Sequence, residues 1–339
     1  MKIVKPNAIP LDKLTRTPYE LIELIGRTCY KSEDKITTGS AVKFVKNMCM
    51  NGHLAMLEHA VIHLLMPEAV YEEFIASLET DYEDVNDNSP VKFMKFSHVD
   101  DIRCVVTGSF RTFYELMQRK CWAWNSVCWI LAKTYPEVFD DGSDNHYVTD
   151  NHTTIISDDE LTSLIKDGDY YLPETADSVL MQHIYHSIKF TCDRGVSHEF
   201  VRHRPASFAQ ESTRFCNYSK GAFGNEITVV EPIFYEQGTL QYKLWKESCE
   251  RDSETYFTLL ELGATPQQAR DNLPTSTKTD IVITASENEW KHIIDLRLTG
   301  TTGKPHPQMV EVMKIAYPAL LIASDMRLAI ESDNEQTDN

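Results

Sequence analysis

No stretch of this 339-residue chain approaches the run of about 18 apolar residues that a membrane-spanning helix requires. The opening MKIVKPNAIP holds no apolar run, so no secretory signal is expected and a cytoplasmic location is. Eight cysteines are present, but no two form a CxxC pair. That argues against a zinc ribbon or a disulfide scaffold and for free thiols in a reducing compartment. Positive charge is also short: 33 Lys and Arg face 51 Asp and Glu, a net charge of −18. This balance excludes general binding to nucleic acid or to an anionic membrane surface. There is no internal repeat and no low-complexity tract. What remains is a soluble globular chain, 42% hydrophobic and 25% charged, with room for one large domain or two small ones.

Hydrophobic periodicity gives the coarse layout. KIV reads as a short opening strand, and PYELIELIGRTCY as a helix with Leu21, Ile22 and Ile25 at helical spacing. SAVKFVKNMCMNG reads as a second helix, with Ser40 as N-cap and Gly52 as the stop. HAVIHLLM is a strand closed by Pro67. Between 67 and 183 the character changes. DYEDVNDNSP and DDGSDNHYVTDNHTTIISDDE read as acidic surface loops, and SFRTFYELMQRKCWAWNSVCWILAKTYP between them as a long helical stretch. Its three tryptophans are expected in the core.

Donors concentrate in EFVRHRPASFAQESTRF, Glu199 to Phe215, which holds three arginines, a histidine and three small hydroxyl residues. Pro205 should end a helix running through VSHEFVRHR. If the next segment is extended, Gln210, Ser212 and Arg214 point the same way, since side chains alternate along a strand. Guanidinium groups in such a set bind phosphate bidentately; on arginine count alone, a solvated basic turn is an equal reading. In GATPQQARDNLP, Thr265, Pro266 and Gln268 form a capping box on a short helix carrying Arg270. In SENEWKHIIDLR, Arg297 shares the apolar face of Trp290, Ile293 and Ile294. A guanidinium there requires a polar or anionic partner, either a ligand or a structural carboxylate.

A metal site is not expected in these motifs. HEFVRH resembles a zinc-protease helix, but His198 and His203 are five apart, which turns them about 140° from one another. In GHLAMLEH, His53 and His59 are also poorly spaced, and no cysteine or aspartate set completes a ligand shell.

The RHRPASFAQES segment resembles the signature of the flavin-dependent thymidylate synthase family. GRTCY, GHLAMLEH, FTCDRGVSHEFV, ARDNLPTSTKTDIVITASENEWKHIIDLR and GKPHPQ support the resemblance, in the family's order. It covers about 18–66 and 184–321. It implies an α+β fold with a mixed sheet and flanking helices, its core formed by 1–66 and 184–325. Residues 67–183 interrupt the match as a mainly helical insertion in, or extension of, that core; their acidic loops suit solvent, so they should decorate its outside or extend subunit contacts. A polar tail would follow from 326 to 339. It further implies a homotetramer that binds FAD where subunits meet. The reaction implied is conversion of dUMP to dTMP, with 5,10-methylenetetrahydrofolate as methylene donor and NADPH as reductant.

Carried over by position, His53, Arg202, His203, Arg204, Gln210, Asn288 and His292 would contact FAD. Glu199, Arg202, Gln210, Ser212, Arg214 and Arg270 would hold dUMP. Arg297 would be the catalytic residue, lying against the pyrimidine and favouring ionisation at N3. The chain departs from the signature at Ala55, Ala209 and Gln210, where the family commonly has a small hydroxyl residue, asparagine and glutamate. A non-catalytic nucleotide- or RNA-binding protein using the same arginines is the competing class, and an inactive scaffold subunit a third.

Overall fold

The structure is a computed structural model and describes residues 1–81, 93–140, 142, 152–212, 218–219 and 224–330. Among these, β1 (Lys2–Val4), β2 (Asn7–Pro10), α1 (Pro18–Tyr30), α2 (Ser40–Met50) and β3 (Val61–Pro67) open the chain. There follow α3 (Glu68–Asp81), β4 (Lys95–His98), β5 (Arg103–Ser109), α4 (Phe110–Arg119), α5 (Trp122–Thr134), α6 (Pro136–Phe139), β6 (Thr154–Ile156), α7 (Asp158–Lys166) and α8 (Pro173–His183). The second half holds β7 (Tyr185–Asp193), α9 (Arg194–Phe200), β8 (Ser207–Gln210), β9 (Thr228–Val230) and α10 (Leu240–Glu261). It closes with α11 (Pro266–Ala269), β10 (Lys278–Ser286), α12 (Glu287–Ile294) and α13 (Pro307–Ala323).

The fold is α+β. One four-stranded sheet has the order β2-β7-β10-β8 and a second β4-β5-β3-β6, and every pairing in both is antiparallel. Among the described residues, parallel pairing is confined to β1 with β9. The expected mixed sheet is thus corrected: the two kinds of pairing lie in separate sheets. The first sheet rests on nine register pairs between β7 and β10, from Tyr185↔Ser286 to Asp193↔Lys278. α9, α12 and α13 cover it with Phe200, Trp290, Ile293 and Met313, which pack in one core with Phe190 of β7, all of them fully buried. The Trp290 indole N–H donates to the His186 carbonyl at 3.0 Å, so burying that ring leaves no orphan donor.

Residues 67–183 are mainly helical, yet they supply β4, β5 and β6, three of the four strands around β3. Phe74, Phe113, Trp124 and Phe139 from this region share one core with Ile22 of α1 and Phe44 of α2. The segment therefore builds a shared sheet and core. TTIISDDE, expected within a loop, forms β6 and the start of α7, where Ser157 and Glu160 make a capping box. Most of the preceding part of that loop (141 and 143–151), and DYEDVNDNSP beyond its first residue, lie outside the described residues.

The long helical stretch divides at Lys120, whose left-handed backbone (φ 53°) ends α4 before α5 begins. Of its tryptophans only Trp124 is in the core. Trp122 is 71% exposed, and Trp129 packs under the Lys133 ammonium. α2 is capped by Gly39 (φ 79°) where Ser40 was expected to cap. The Ser40 hydroxyl instead accepts from the Thr37 N–H and donates to Glu23. At its described end the chain stays packed, with Arg327 and Leu328 buried.

Within α1, a Cβ on Gly26 would sit 2.5 Å from the Phe44 ring. Gly26→Ala gains helix propensity of up to about 1 kcal/mol. Overpacking at α1 against α2 costs about 1–3 kcal/mol. A lowered denaturant midpoint is expected, and a midpoint unchanged or raised would contradict this packing.

Candidate active site

α9 begins at Asp193, whose carboxylate accepts the Val196 N–H at 2.8 Å, and ends at Phe200. The helix stops five residues before Pro205, earlier than its sequence suggests. From Arg202 the backbone makes tight turns, with N–H of Arg202 to Glu199 O and of His203 to Phe200 O. These turns release Arg202, His203 and Arg204 from helical spacing and aim them into one cavity of about 660 Å³.

The opposite wall comes from α12. After Ile294 it widens into a π turn at Asp295–Thr299, closed by Gly300 at φ 81°. A side chain on Gly300 would meet Pro305 at 2.7 Å, which fixes the following loop against the turn. The widened turn presents Arg297 to the end of α9. Its Nη1 donates to Glu199 Oε2 at 2.7 Å, its Nη2 to the Glu199 carbonyl at 3.1 Å, and its Nε to His203 Nε2 at 3.1 Å. His203 is buried, and its Nδ1 lies 3.1 Å from Glu289 Oε1. Since arginine only donates, Nε2 of His203 accepts and its proton sits on Nδ1, facing Glu289. His292 packs edge-on to His203, with centroids 5.6 Å apart.

The cavity is basic in an acidic protein. Arg202, Arg204, Arg297 and Lys304 face two carboxylates, Glu199 and Glu289. Glu199 is held by Arg297 and Glu289 by His203. Among the described residues, Arg202, Arg204 and Lys304 have no carboxylate within ion-pair range, and all three are exposed. Such an arrangement takes an anion with several oxygens, a phosphate or diphosphate above all. His203, Glu289 and His292 bring ligand atoms within 4.8 Å of one another. The Arg297 guanidinium already fills the His203 Nε2 lone pair and repels a cation there.

The six predicted residues Glu199, Arg202, His203, Arg204, His292 and Arg297 thus share one cavity. Of the two partners left open for Arg297, the structure supplies the carboxylate, Glu199, and the pair lines the cavity. Arg270 lies elsewhere, in a second cavity of about 300 Å³ with Arg194 and His198. His198 and His203 thus line different cavities. The capping box that positions Arg270 is present as read, Thr265 with Gln268. Gln210 lines neither cavity. Its amide donates to Ser197 Oγ at 2.9 Å and Thr279 Oγ1 at 3.2 Å, which fixes the end of β8. β8 stops there, and the Ser212 N–H donates to the Cys29 carbonyl at 3.3 Å. Arg214 lies outside the described residues. His53 and Asn288 are exposed, and His53 Nδ1 is 3.3 Å from the Tyr30 hydroxyl. Lys304 and His306 were not singled out as site residues, although GKPHPQ contains them; the signal was a lysine between glycine and proline, after a helix bearing an arginine.

A family profile described as thymidylate synthase complementing protein matches residues 145–317, just over half the chain. The chain belongs to this family. The matched stretch holds every wall of the 660 Å³ cavity and begins ahead of residue 184, taking in α7 and α8. Flavin-dependent thymidylate synthase of Thermococcus onnurineus (strain NA1) is 33% identical over 106 residues, 31% of this chain and 42% of its own. That of Saccharolobus solfataricus is 31% identical over 153 residues, 44% of this chain and 54% of its own. That of Pyrococcus horikoshii is 37% identical over 107 residues, 32% and 43% respectively. The chain spans about half the length of the curated relatives it matches. Among the described residues, no helix is long and apolar enough to cross a membrane.

Proposed function

We propose that this chain is a flavin-dependent thymidylate synthase that methylates dUMP to dTMP, with 5,10-methylenetetrahydrofolate as methylene donor and NADPH as reductant. One observation carries the reading: Arg202, His203 and Arg204 share a cavity with Arg297, held there by Glu199 and His203. FAD fits the donor set, because Arg202, Arg204 and Lys304 offer cationic donors to a diphosphate. FAD, when bound, supplies the two-electron relay from NADPH. Arg297 would polarise the pyrimidine and favour the N3 anion, with Glu199 fixing the guanidinium plane. Arg270 and Arg214 would hold the phosphate of dUMP together with Ser212. Exposed His53 and Asn288 would meet the flavin where subunits of a homotetramer join, in a cytoplasmic enzyme. Gln210 would shape the site from behind, through Ser197 on α9. The non-catalytic nucleotide- or RNA-binding alternative is not favoured.

No described cysteine lines the cavity. Burial pushes the Cys49 and Cys249 thiols up to about 11, and Cys192 higher still, away from the thiolate a nucleophile needs. Cys216 lies outside the described residues. Cys216→Ala is expected to keep forming dTMP, because ring polarisation by Arg297 replaces thiolate attack. A folded, flavin-loaded Cys216→Ala enzyme without dTMP formation would revive covalent catalysis. The function itself is tested in a bacterial strain that lacks its own thymidylate synthase. Expression should restore growth without thymidine, and absence of growth with folded protein present would contradict the reading.

A further inference from the structure

We propose that Glu68, His98 and Cys104 form a binding site for a divalent, thiol-preferring metal ion of the zinc class, at one end of the second sheet. The topology assembles it. His98 ends β4 and stands directly across from Cys104 on β5, so both side chains leave the same face. β3 runs on the other side of β5 and ends at Pro67; Glu68 follows, its N–H donating to the Ile102 carbonyl at 2.9 Å. Three adjacent strand ends thereby converge three different ligand types.

The donor atoms already form a tight triangle. Cys104 Sγ is 2.9 Å from Glu68 Oε2 and 3.3 Å from His98 Nδ1, and Nδ1 is 3.3 Å from Oε2. Tetrahedral zinc with ordinary bond lengths holds such donors about 3.3–3.6 Å apart, so two edges of the triangle are nearly there and the sulfur–carboxylate edge opens by about 0.6 Å. Orientation is supported from outside. The His98 ring stacks on Tyr170 and meets Tyr71 edge-on, and the Tyr171 hydroxyl donates to the His98 carbonyl at 2.8 Å. Access and charge also suit a cation. Cys104 is buried, whereas the His98 and Glu68 side chains are 43% and 32% exposed. Glu72 adds negative charge around the thiol, while Asp100 is paired with Arg103.

Binding breaks the Cys104 S–H bond. The proton leaves to solvent, the sulfur lone pair goes to the metal, and nothing is oxidised or reduced. Three protein ligands leave one coordination position toward solvent. The ion would clasp β4 to the start of α3. None of the three residues lines either active-site cavity, and all precede the family match at 145–317, so the inference stands apart from the proposed reaction.

The test uses the full chain, stripped of metal with a chelator and titrated with Co²⁺, read as difference spectra against metal-free protein. One equivalent should produce a near-ultraviolet thiolate-to-cobalt charge-transfer band with the visible bands of tetrahedral cobalt, and Zn²⁺ should remove both. Cys104→Ser should lose the charge-transfer band. His98→Ala, at an exposed side chain, should weaken cobalt binding by at least about tenfold while circular dichroism stays unchanged. A wild-type titration without the band, or a band surviving in Cys104→Ser, overturns the proposal. Should Cys104→Ser not fold, unchanged cobalt affinity in His98→Ala overturns it.

Discussion

Arg297→Lys is expected to lower dTMP formation by about 10²–10³-fold, the cost of removing one preorganised donor from a developing charge. The guanidinium makes three bonds in different directions, to Glu199 Oε2, the Glu199 carbonyl and His203 Nε2. A lysine ammonium keeps the charge but has one nitrogen, so it cannot hold Glu199 and His203 together. The side chain is 17% exposed at the cavity wall, and its loss should leave the fold and bound flavin largely intact. The loss should appear in kcat, with little change in flavin content. Turnover equal to wild type at saturating dUMP would remove Arg297 from the chemistry. Loss of cooperative unfolding would reduce its pair with Glu199 to a structural ion pair.

The largest stability effect is expected at Glu287. This carboxylate is wholly buried and accepts from Arg327 twice at 2.6 Å and from His186 Nε2 at 2.9 Å. Glu287→Ala leaves a buried guanidinium and a buried imidazolium facing each other, which costs about 3–5 kcal/mol. A loss below about 1 kcal/mol in denaturant titration would contradict this, since it would put the pair in the range of surface ion pairs. The same cluster makes stability depend on pH. Burial alone would lower the His186 pKa, but hydrogen bonds and charge from Asp12 and Glu287 outweigh it and raise it to about 9. A raised folded-state pKa stabilises fully below the unfolded value, near 6.5, and that contribution is lost as pH rises through about 9. The whole span corresponds to about 3 kcal/mol. His186→Gln should flatten the decline between those limits, and an equally steep decline in the variant would assign it elsewhere.

Local signals in the sequence were enough for the first helix and the short helix that carries Arg270, though not for the cap of α2 or the capping box at Ser157. The first helix has the bounds its periodicity suggests, Pro18–Tyr30, because Thr17 caps it, Pro18 starts it and Lys31 turns left-handed after it. The capping box at Thr265 is equally local. The arginine triplet and Arg297 were found as types, and their convergence in one cavity follows from features with weaker signatures. One is the early end of α9 at Phe200, and the other is the π turn at Asp295–Thr299. Neither has a breaker residue at its own position, and the bonds that join them, from Arg297 to Glu199 and His203, are tertiary. Of the second sheet only β3 was legible, from HAVIHLLM and Pro67. The strands β4 and β6 have only four and three residues, and their pairing with β5 and β3 is tertiary. Glu68, His98 and Cys104 share no motif, since the ends of β3, β4 and β5 must meet before the three side chains touch.

The most direct measurement is the visible absorption of the purified protein with NADPH and dUMP, followed by product analysis after 5,10-methylenetetrahydrofolate is added. The account predicts a flavin spectrum that bleaches with NADPH and dUMP, and dTMP formed stoichiometrically with NADPH consumed. A folded protein that takes up no flavin when FAD is supplied, or that bleaches and forms no dTMP, would contradict it.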